Sequence, residues 1–539
     1  MRTTTTTVRE QTFAVMRRLG LTRVFGNPGS SEIPFLADFP EDLEFVLGLH
    51  EGGVVGMASG YALGTGRPAF VNLHTAAGLG NAVNAIACAR DNRIPLVIVV
   101  GQQDRRQLSL SPFLTGRNLE RVAGDYPVWT NLPAHPADVP GAIARAWHEA
   151  ELRRGPALVV VPMGDWEAEL GEDWVGPTVP AEVHRSTLVD GKALDELARL
   201  VEGSASPALV VGAGADTPDG WAATVQLAER LGCPVWQDTL SSRAGFPQDH
   251  PQFAGHLPWR RSDLRALFAD HDVVVAIGTP AFRLYLYDPG PLVEPTTRLA
   301  VISDDQEEIL RSPCDLGLLA APATVCADLA ARLPQRERAV EPLRRPPAPE
   351  PPQADEPLHD VHLAHALAER LPADAILVEE APSTRPVLLS HVAIRESLGF
   401  VAVANGALGF GLAASVGLRM ALPERPVVAV LGDGSSLYSV QTLWSAAKYG
   451  VGVVFVVIGN GGYAVMDQLA HAHGSVGPWP SFESVDLAAL ARGFGCQAER
   501  IESHDELLHW LDGTVPHLRD RKHPLLLDVR VEPNLRGVL

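Results

Sequence analysis

Residues 427–460 read VVAVLGDGSSLYSVQTLWSAAKYGVGVVFVVIGN, and this stretch decides the fold class. It contains two short apolar runs rich in β-branched residues, VVAVLG and VVFVVIG, on either side of a helix-length segment. Runs that are apolar at every position are typical of parallel strands buried on both faces, and parallel neighbours need a crossover of about this length. The stretch therefore predicts a strand–helix–strand unit of a parallel sheet.

Similar apolar runs recur along the chain in three sets, which predicts an α/β fold with three doubly wound parallel-sheet domains. The runs are TRVFG (22–26), AFVNL (69–73), PLVIVVG (95–101) and ALVVVP (157–162), then PALVVGAG (207–214), VVVAIG (273–278) and RLAVIS (298–303), then AILVEE (375–380), VVAVLGDG (427–434), VVFVVIGN (453–460) and PLLLDVRV (524–531). Seven prolines within 342–357 predict a linker between the last two sets. We therefore expect domains at 1–185, 186–340 and 358–539, with the linker at 341–357.

The composition narrows the function classes. The 539 residues carry 64 acidic and 44 basic side chains, and a formal net charge of −20 disfavours nucleic-acid binding. Five scattered cysteines show no CxxC spacing, which gives little support to a disulfide framework or a thiolate zinc site. The N-terminus lacks the apolar core of a signal peptide, and no apolar run is long enough to span a membrane. We expect a soluble cytoplasmic protein without membrane or nucleic-acid partners.

Polar side chains follow two neighbouring strands of the predicted C-terminal sheet. VVAVLG runs into GDGS (432–435) and VVFVVIG into NGGY (460–463), with Asp433 and Asn460 27 residues apart. One crossover spans that distance, so both side chains are expected at the carboxyl edge, where open α/β sheets bind ligands. Asp433, Asn460 and the carbonyl of Gly462 offer the oxygens that Mg²⁺ prefers. GDGS alone also suits an ordinary strand-to-helix turn, but the downstream Asn-Gly favours a site for Mg²⁺ and a diphosphate.

These two motifs resemble the diphosphate-binding motif of the thiamine-diphosphate-dependent 2-oxo acid decarboxylase family. The resemblance covers nearly the whole chain and includes segments that look like those of benzoylformate decarboxylases: FGNPGSSEIPFL (25–36), NLHTAAGLGNA (72–82), YDPG (287–290) and GALGFGLAASVG (406–417). It implies pyrimidine-binding, central and diphosphate-binding domains in that order. It also implies thiamine diphosphate and Mg²⁺ as cofactors, and a homo-oligomer, a dimer or a dimer of dimers, whose active sites lie between subunits. The small-molecule partner is then a 2-oxo acid.

The resemblance assigns cofactor roles residue by residue. Glu51 would hydrogen-bond the pyrimidine ring and favour the tautomer that generates the reactive ylid. Leu408 would wedge between the two rings of the cofactor. Without the resemblance, a surface helix cap is the commoner role for a Glu at position 51, and Leu408 is an ordinary core residue. The implied cofactor contacts are Glu51, Ser383, Gly406, Leu408, Gly432, Asp433, Gly434, Ser435, Asn460, Gly462 and Tyr463, with Asp433, Asn460 and Gly462 on the metal.

The substrate end matches the family in part. Ser30 and His74 match its active-site serine and first histidine, although taken singly they are typical of a helix cap and a structural histidine. Tyr285 stands where the family has its second catalytic histidine, and a phenol of pKa about 10 is a poorer proton carrier near neutrality. Protonation of the carbanion–enamine after decarboxylation would then fall to Tyr285, or to His471 or His473, unless a second carbonyl captures the intermediate. The predicted substrate pocket comprises Ser30, His74, Phe113, Ala402, Val465 and Leu469.

Three hypotheses follow for the activity. The leading one is nonoxidative decarboxylation of a 2-oxo acid, with carboligation by the same intermediate as its rival. Flavin-containing chemistry has weak support, because the central domain offers only the short GAG of 212–214. A noncatalytic cofactor-binding protein is the third hypothesis, and the presence of Glu51, Ser30 and His74 argues against it. The predicted pocket is less aromatic than those of benzoylformate decarboxylases, which favours an aliphatic or branched substrate side chain and leaves a phenyl group as the alternative.

Overall fold

The computed structural model describes residues 6–171, 174, 176–177, 179–186, 189–353 and 356–532. Its named strands form three six-stranded sheets, and every strand pair within them is parallel. Helices lie between most of the successive strands of each sheet. The predicted fold class, α/β with three doubly wound parallel-sheet domains, is confirmed.

The strands lie in three groups of six along the chain. They are β1 (Arg23–Asn27), β2 (Glu44–Leu47), β3 (Ala69–Leu73), β4 (Leu96–Gln102), β5 (Trp129–Asn131), β6 (Pro156–Pro162), β7 (Pro207–Val211), β8 (Val235–Gln237), β9 (Phe253–His256), β10 (Val273–Ile277), β11 (Arg298–Ser303), β12 (Leu316–Leu319), β13 (Ile376–Glu380), β14 (Phe400–Val401), β15 (Val427–Gly432), β16 (Val454–Gly459), β17 (Gln497–Ile501) and β18 (Leu525–Arg530). The sheet orders are β2-β1-β3-β4-β6-β5, β12-β11-β10-β7-β8-β9 and β14-β13-β15-β16-β18-β17. The N-terminal and C-terminal sheets thus share one topology, while the central sheet has the order typical of dinucleotide-binding folds.

The helices cover the faces of these sheets. They are α1 (Val8–Leu19), α2 (Ile33–Leu36), α3 (Glu51–Thr65), α4 (Thr75–Asp91), α5 (Leu119–Val122), α6 (Val139–Arg153), α7 (Gly191–Glu202), α8 (Pro218–Leu231), α9 (Arg261–Leu267), α10 (Gln306–Leu310), α11 (Pro322–Arg332), α12 (Asp360–Arg370), α13 (Arg385–His391), α14 (Gly411–Ala421), α15 (Asp433–Leu437), α16 (Thr442–Lys448), α17 (Ala464–Ala472), α18 (Leu487–Gly493) and α19 (His504–Thr514). Short 3₁₀ turns add to these, including Ser30–Glu32, directly after β1. Local capping fixes several helix ends, as at α1, where Thr7 and Glu10 form a reciprocal capping box.

Glycines allow α3 of the N-terminal domain to pack directly on α14 of the C-terminal domain. A Cβ on Gly60 would lie 1.9 Å from the carbonyl oxygen of Ala414, and one on Gly417 would lie 1.8 Å from that of Met57. Backbone cannot yield as a flexible side chain can, so neither position accepts a larger residue. This contact merges the two domains into one hydrophobic core, which explains why both helices are glycine- and alanine-rich.

The apolar runs coincide with the strands because strands buried on both faces leave no solvent side to break the pattern. Between α11 and α12 the described residues form neither helix nor strand, and residues 354 and 355 of the predicted linker lie outside the described ranges. The domain boundaries at 185, 340 and 357 stay predictions. No helix within the described ranges combines the length and the apolar character that crossing a membrane requires.

Candidate active site

A cavity of about 310 Å³ lies at the carboxyl edge of the C-terminal sheet, where the neighbouring strands β13, β15 and β16 end. Open parallel sheets bind their ligands at this edge. Twelve of the predicted site residues form part of its wall. They are Tyr285, Ser383, Gly406, Leu408, Gly432, Asp433, Gly434, Ser435, Asn460, Gly462, Tyr463 and Val465.

Asp433 and Asn460 meet at the tips of two paired strands. Asp433 follows β15 and Asn460 follows β16, and these strands are hydrogen-bonded neighbours. Only 5% of Asp433 is exposed, and its carboxylate accepts the Gly434 and Gly461 N–H groups, each at 2.7 Å. Burial raises the pKa of Asp433, and these two hydrogen bonds oppose the rise. Asn460 Oδ1 accepts the Gly462 N–H at 3.1 Å, so the three predicted metal ligands lie side by side.

This donor set contains a single carboxylate. Among the described residues no group of three or more His, Cys, Asp or Glu side chains is placed to hold a metal ion. A cation bound at Asp433 would therefore take its remaining ligands from the amide of Asn460, a backbone carbonyl, water and the bound ligand itself. Mg²⁺ accepts such a shell and commonly includes the phosphate oxygens of a ligand in it.

Glycines keep the diphosphate side of the cavity open. Gly406 adopts a left-handed backbone with φ of +71°, and a Cβ there would meet nothing within 4 Å. At Gly434 the reverse holds, because a Cβ would lie 2.7 Å from Cε1 of Tyr463. The ring of Tyr463 therefore packs on the GDG turn, while the open space at Gly406 lets a ligand approach the backbone closely.

Glu380 ends β13 and holds the loop that precedes α14. Its Oε1 accepts the Gly409 N–H at 2.6 Å, and its Oε2 accepts the Phe410 N–H at 2.9 Å and the Gly411 N–H at 2.6 Å. Only 3% of this residue is exposed, and burial raises its pKa to about 7 against the opposing effect of these bonds. A buried carboxylate that satisfies three backbone donors fixes the loop carrying Leu408.

Sequence reasoning missed several wall residues from outside the diphosphate motifs. Leu240 and Trp259 of the central domain form part of the wall beside Tyr285, whose N–H donates to the Trp259 carbonyl at 3.3 Å. Arg385, at the start of α13, also forms part of the wall and is held by Glu379, its Nε lying 2.5 Å from Glu379 Oε2. Contacts between distant segments leave no local sequence pattern, so the chain alone gave no signal for these residues.

Glu51 belongs to a second cluster, in the N-terminal domain. It is the first residue of α3 and only 7% exposed, so the alternative of a surface helix cap is wrong. Its two oxygens accept hydrogen bonds from Asn27 Nδ2 and Asn81 Nδ2, each at 3.0 Å. Two amides thus hold the carboxylate in place, and a Cβ on Gly78 would contact both Glu51 and the next member of the cluster, His74.

His74 is held by residues that sequence reasoning overlooked. Its Nδ1 lies 2.9 Å from Glu32 Oε2 and 2.9 Å from Ser31 Oγ, and Ser31 Oγ donates to Glu32 Oε1 at 2.6 Å. A Cβ on Gly29 would lie 2.4 Å from His74 Nδ1, so the ring packs on the NPG turn. The predicted Ser30 is exposed, while its neighbours Ser31 and Glu32 are buried. Ser31 and Glu32 follow the NPG turn closely in the sequence, so their hydroxyl and carboxylate could have been recognised as candidate partners of His74.

The two clusters remain apart within one chain. No residue of the N-terminal domain belongs to the described cavity wall, so Glu51, His74 and Ser30 do not reach Asp433 in this chain. The N-terminal cluster is defined here as Asn27, Ser31, Glu32, Glu51, His74 and Asn81.

The three remaining predicted pocket residues do not line the cavity. Phe113 is 88% exposed on the N-terminal domain, and Leu469 is half-buried on α17, one turn beyond Val465. Ala402 is completely buried in the core, and its neighbour Val403 lines the cavity instead. Successive residues of an extended segment point to opposite faces, so a prediction displaced by one position reaches the wrong face.

Models of thiamine pyrophosphate enzymes match three parts of the chain: the N-terminal TPP binding domain at 6–120, the central domain at 194–329 and the C-terminal TPP binding domain at 387–529. The benzoylformate decarboxylase of Pseudomonas aeruginosa is 36% identical over 528 residues, which cover 97% of this chain and 98% of that protein. The solved structure of the thiamine diphosphate-dependent 4-hydroxybenzoylformate decarboxylase of Rhodococcus jostii RHA1 matches with a TM-score of 0.92 and 34% identity, over 98% of this chain and 99% of that one. An acetolactate synthase of Arthrospira platensis is 25% identical over 554 residues, covering 96% and 92%.

Proposed function

The chain belongs to the thiamine-diphosphate-dependent 2-oxo acid decarboxylases, which are carbon–carbon lyases, and on that premise we propose its particular reaction. The protein carries out nonoxidative, Mg²⁺-dependent decarboxylation of a 2-oxo acid with an apolar side chain of aryl size, releasing an aldehyde. Support for the aryl group comes from the Trp259, Leu240 and Val465 walls of the cavity. The names of two similar proteins, which act on benzoylformate and 4-hydroxybenzoylformate, agree with this choice.

One observation carries the proposal. A buried carboxylate and a neighbouring amide, Asp433 and Asn460, open onto a cavity whose wall also includes apolar side chains such as Leu240, Trp259 and Val465. That combination fits a cofactor with an anionic tail, which needs a cation, and with apolar rings, which need a dry wall. The open space at Gly406 leaves room for it. The residues present therefore fit thiamine diphosphate together with Mg²⁺.

Each wall residue has a separate task in this proposal. Asp433, Asn460 and the Gly462 carbonyl would hold the metal, while Ser435 and Ser383 would offer hydroxyl donors to the diphosphate. Leu408 would contact the cofactor from the loop that Glu380 keeps in place. When bound, the cofactor supplies the nucleophilic carbon and the electron sink that decarboxylation requires.

The N-terminal cluster supplies the proton chemistry. Glu51, fixed by two asparagines, would hold a proton at the pyrimidine ring of the cofactor when the cofactor is bound. His74, which Glu32 orients through Nδ1, exchanges protons with the substrate through Nε2. Ser30 hydrogen-bonds the substrate carboxylate, and Tyr285 takes the place of a second histidine.

A second copy of the chain brings the two clusters together. Exposed apolar side chains border both: Tyr438 (55%) and Met466 (44%) lie near the cavity, while Ile33 (57%), Leu49 (43%) and Phe113 (88%) lie on the N-terminal domain. Such side chains favour burial in an interface. The proposed active site therefore forms between the C-terminal domain of one subunit and the N-terminal domain of another. A cytoplasmic location stays a prediction.

The first experiment tests the cofactor site and the reaction together. Protein dialysed free of metal is scanned for its thermal midpoint with Mg²⁺ alone, thiamine diphosphate alone and both, and is then assayed with benzoylformate and aliphatic 2-oxo acids for carbon dioxide and aldehyde. We expect stabilisation mainly by the pair of cofactors. Asp433→Ala should abolish it, while Asp467→Asn, an exposed acid bonded to Trp479, should keep it. Equal stabilisation of both variants would contradict the assignment of Asp433.

The second experiment tests the shared site by complementation. Subunits carrying Glu51→Gln and subunits carrying Asp433→Ala are each inactive, and are then mixed under exchange conditions. A site between subunits leaves each mixed dimer with one intact site, so random mixing restores up to about a quarter of the activity. A site within one chain restores none, and that outcome would overturn the shared arrangement.

Carboligation is a second candidate, and Tyr285 is the observation that favours it. A phenol would donate a proton to the product of carbon dioxide loss more slowly than an imidazole group does near pH 7. An acceptor aldehyde would then have time to react. Tyr285→His should then raise aldehyde and lower acyloin. An unchanged ratio of the two products would remove Tyr285 as the cause.

A further inference from the structure

Arg385 is the only basic side chain that the described part of the chain contributes to the cavity wall. It is the first residue of α13 and lies two positions after Ser383, and 12% of its side chain is exposed. Nothing in the sequence motifs pointed to it. A cation in a largely apolar cavity needs an acidic partner or hydrogen-bond acceptors for its N–H groups.

Glu379 satisfies only part of the guanidinium. Glu379 is completely buried, its Oε2 accepts Arg385 Nε at 2.5 Å, and its Oε1 accepts the Ala381 N–H at 2.6 Å. Both oxygens are therefore engaged, and the ion pair fixes the direction of the arginine. An arginine held at Nε still presents the four N–H bonds of its two terminal nitrogens.

Those terminal nitrogens remain available in the described structure. Neither Nη1 nor Nη2 of Arg385 makes a hydrogen bond to any described residue, and neither is sealed inside the protein among the buried unpaired polar atoms. The other charged groups of the wall are occupied, because Glu380 holds three backbone N–H groups and Asp433 holds two. The terminal nitrogens of Arg385, a residue of the cavity wall, are thus left without a hydrogen-bond acceptor among the described residues.

The local charge selects the kind of acceptor. Glu379 already balances Arg385, and Glu380 adds a further acidic group to the wall. A second carboxylate on the substrate would add negative charge beside these two, whereas a neutral oxygen adds none. A neutral acceptor gains a charge-assisted hydrogen bond without adding a charge to this part of the cavity.

Resting on the proposed function, we infer that Arg385 is a specificity-determining residue that binds a neutral acceptor oxygen on the substrate side chain, remote from the 2-oxo acid group. The substrate class is an oxygen-substituted aryl 2-oxo acid, such as a hydroxyl- or alkoxy-substituted benzoylformate. An aryl ring spans the apolar wall formed by Trp259 and Leu240, and its substituent oxygen meets the guanidinium.

The test compares substrates matched in size. The value of kcat/KM is measured for 3- and 4-methoxybenzoylformate, for the corresponding methyl compounds and for 4-carboxybenzoylformate. Each methoxy value is divided by the value of its methyl partner. A charge-assisted hydrogen bond predicts that one methoxy compound exceeds its methyl partner by about tenfold or more. Because Arg385→Met alone leaves Glu379 buried and unpaired, the main variant is Arg385→Met with Glu379→Gln, and the ratio should fall to about one.

Two further measurements keep the outcomes distinct. Dissociation constants of the nonreacting 4-methoxy- and 4-methylmandelates with holoenzyme report the same preference without turnover, and Arg385→Lys should keep part of it. The half-saturation concentration for thiamine diphosphate should stay within about twofold in the double variant. A tenfold rise in that concentration would assign Arg385 to the diphosphate and overturn the inference. Equal kcat/KM values of the wild type for the methoxy and methyl compounds would overturn it too, as would a preference for the carboxy compound. Absence of turnover by the wild type with all 2-oxo acids would instead refute the proposed function, while the mandelate comparison still tests Arg385.

Discussion

Glu380→Gln should change the stability of the fold and the order of the loop that carries Leu408, and the two effects should depend differently on pH. Burial raises the pKa of Glu380 from 4.5 to about 7, so the native state holds a proton that the unfolded chain has lost between these values. This side chain therefore stabilises the fold below pH 4.5, and that contribution is lost as the pH rises through about 7. The change amounts to about 3 kcal/mol.

The glutamine lacks this pH dependence but cannot accept all three backbone hydrogen bonds. Its oxygen can serve the Phe410 and Gly411 N–H groups, and its amide nitrogen then faces the Gly409 N–H, which loses its acceptor at a cost of about 1–3 kcal/mol. At pH 5 the variant should be less stable than the wild type. By pH 8 the ionised carboxylate of the wild type has lost a comparable amount, so the difference should vanish or reverse.

The assay is the thermal midpoint of apo-protein from pH 5 to pH 8, with the exposed Glu424→Gln as control for the chemical change. A change of 3 kcal/mol corresponds to about 3 °C for a chain of this length if it unfolds cooperatively. The control should follow the wild-type profile. Parallel profiles for Glu380→Gln and the wild type would refute the reasoning about the buried charge.

The same variant should weaken cofactor binding even at pH 8, where its stability matches the wild type. The freed Gly409 N–H loosens the loop carrying Gly406 and Leu408, so the half-saturation concentration for thiamine diphosphate should rise by about tenfold. Hydrogen exchange of the Gly409 amide should accelerate with it. Unchanged exchange and unchanged half-saturation together would show that Glu380 does not position this loop.

Two glycine substitutions test the packing on either side of the site. Gly29→Ala places a Cβ 2.4 Å from His74 Nδ1 and displaces the ring, so kcat should fall by about tenfold or more while retention of the cofactor is kept; loss of the cofactor instead would contradict the role of this turn. Gly60→Ala places a Cβ 1.9 Å from a backbone oxygen and should lower the thermal midpoint, whereas Gly80→Ala, whose Cβ meets nothing within 4 Å, should leave it unchanged or raise it slightly. Similar midpoints for these last two variants would refute the packing argument.

The sequence was sufficient for the fold and for the placement of Asp433 and Asn460 at one edge of the C-terminal sheet. Strands such as β15 and β16 are short, apolar at nearly every position and separated by one crossover, so their carboxyl ends had to be neighbours. Asp433 and Asn460 could be identified because they directly follow those strands. Local order in the chain is then enough to infer proximity in space.

The substrate side could not be inferred in the same way. Leu240 and Trp259 reach the cavity from the central domain, and no spacing rule connects them to the motif at 432–435. Ala402 was predicted for the pocket while Val403 lines it, because family resemblance fixes a segment more readily than the alternation of faces within it. Arg385 was missed because its role depends on a buried partner six residues earlier, Glu379.

Helix α4 links the two halves that the proposed dimer brings together. Asn81 donates to Glu51 at 3.0 Å, and three residues later Asn84 donates to the Leu408 carbonyl of the same chain at 3.0 Å. Residues three apart lie on one face of a helix, so this face positions both Glu51 and the loop that carries Leu408. If Glu51 serves the site of the partner subunit, a displacement of α4 disturbs both sites of a dimer at once. The close packing around α4 then acts on catalysis as well as on folding, because each chain positions one component for each of the two sites.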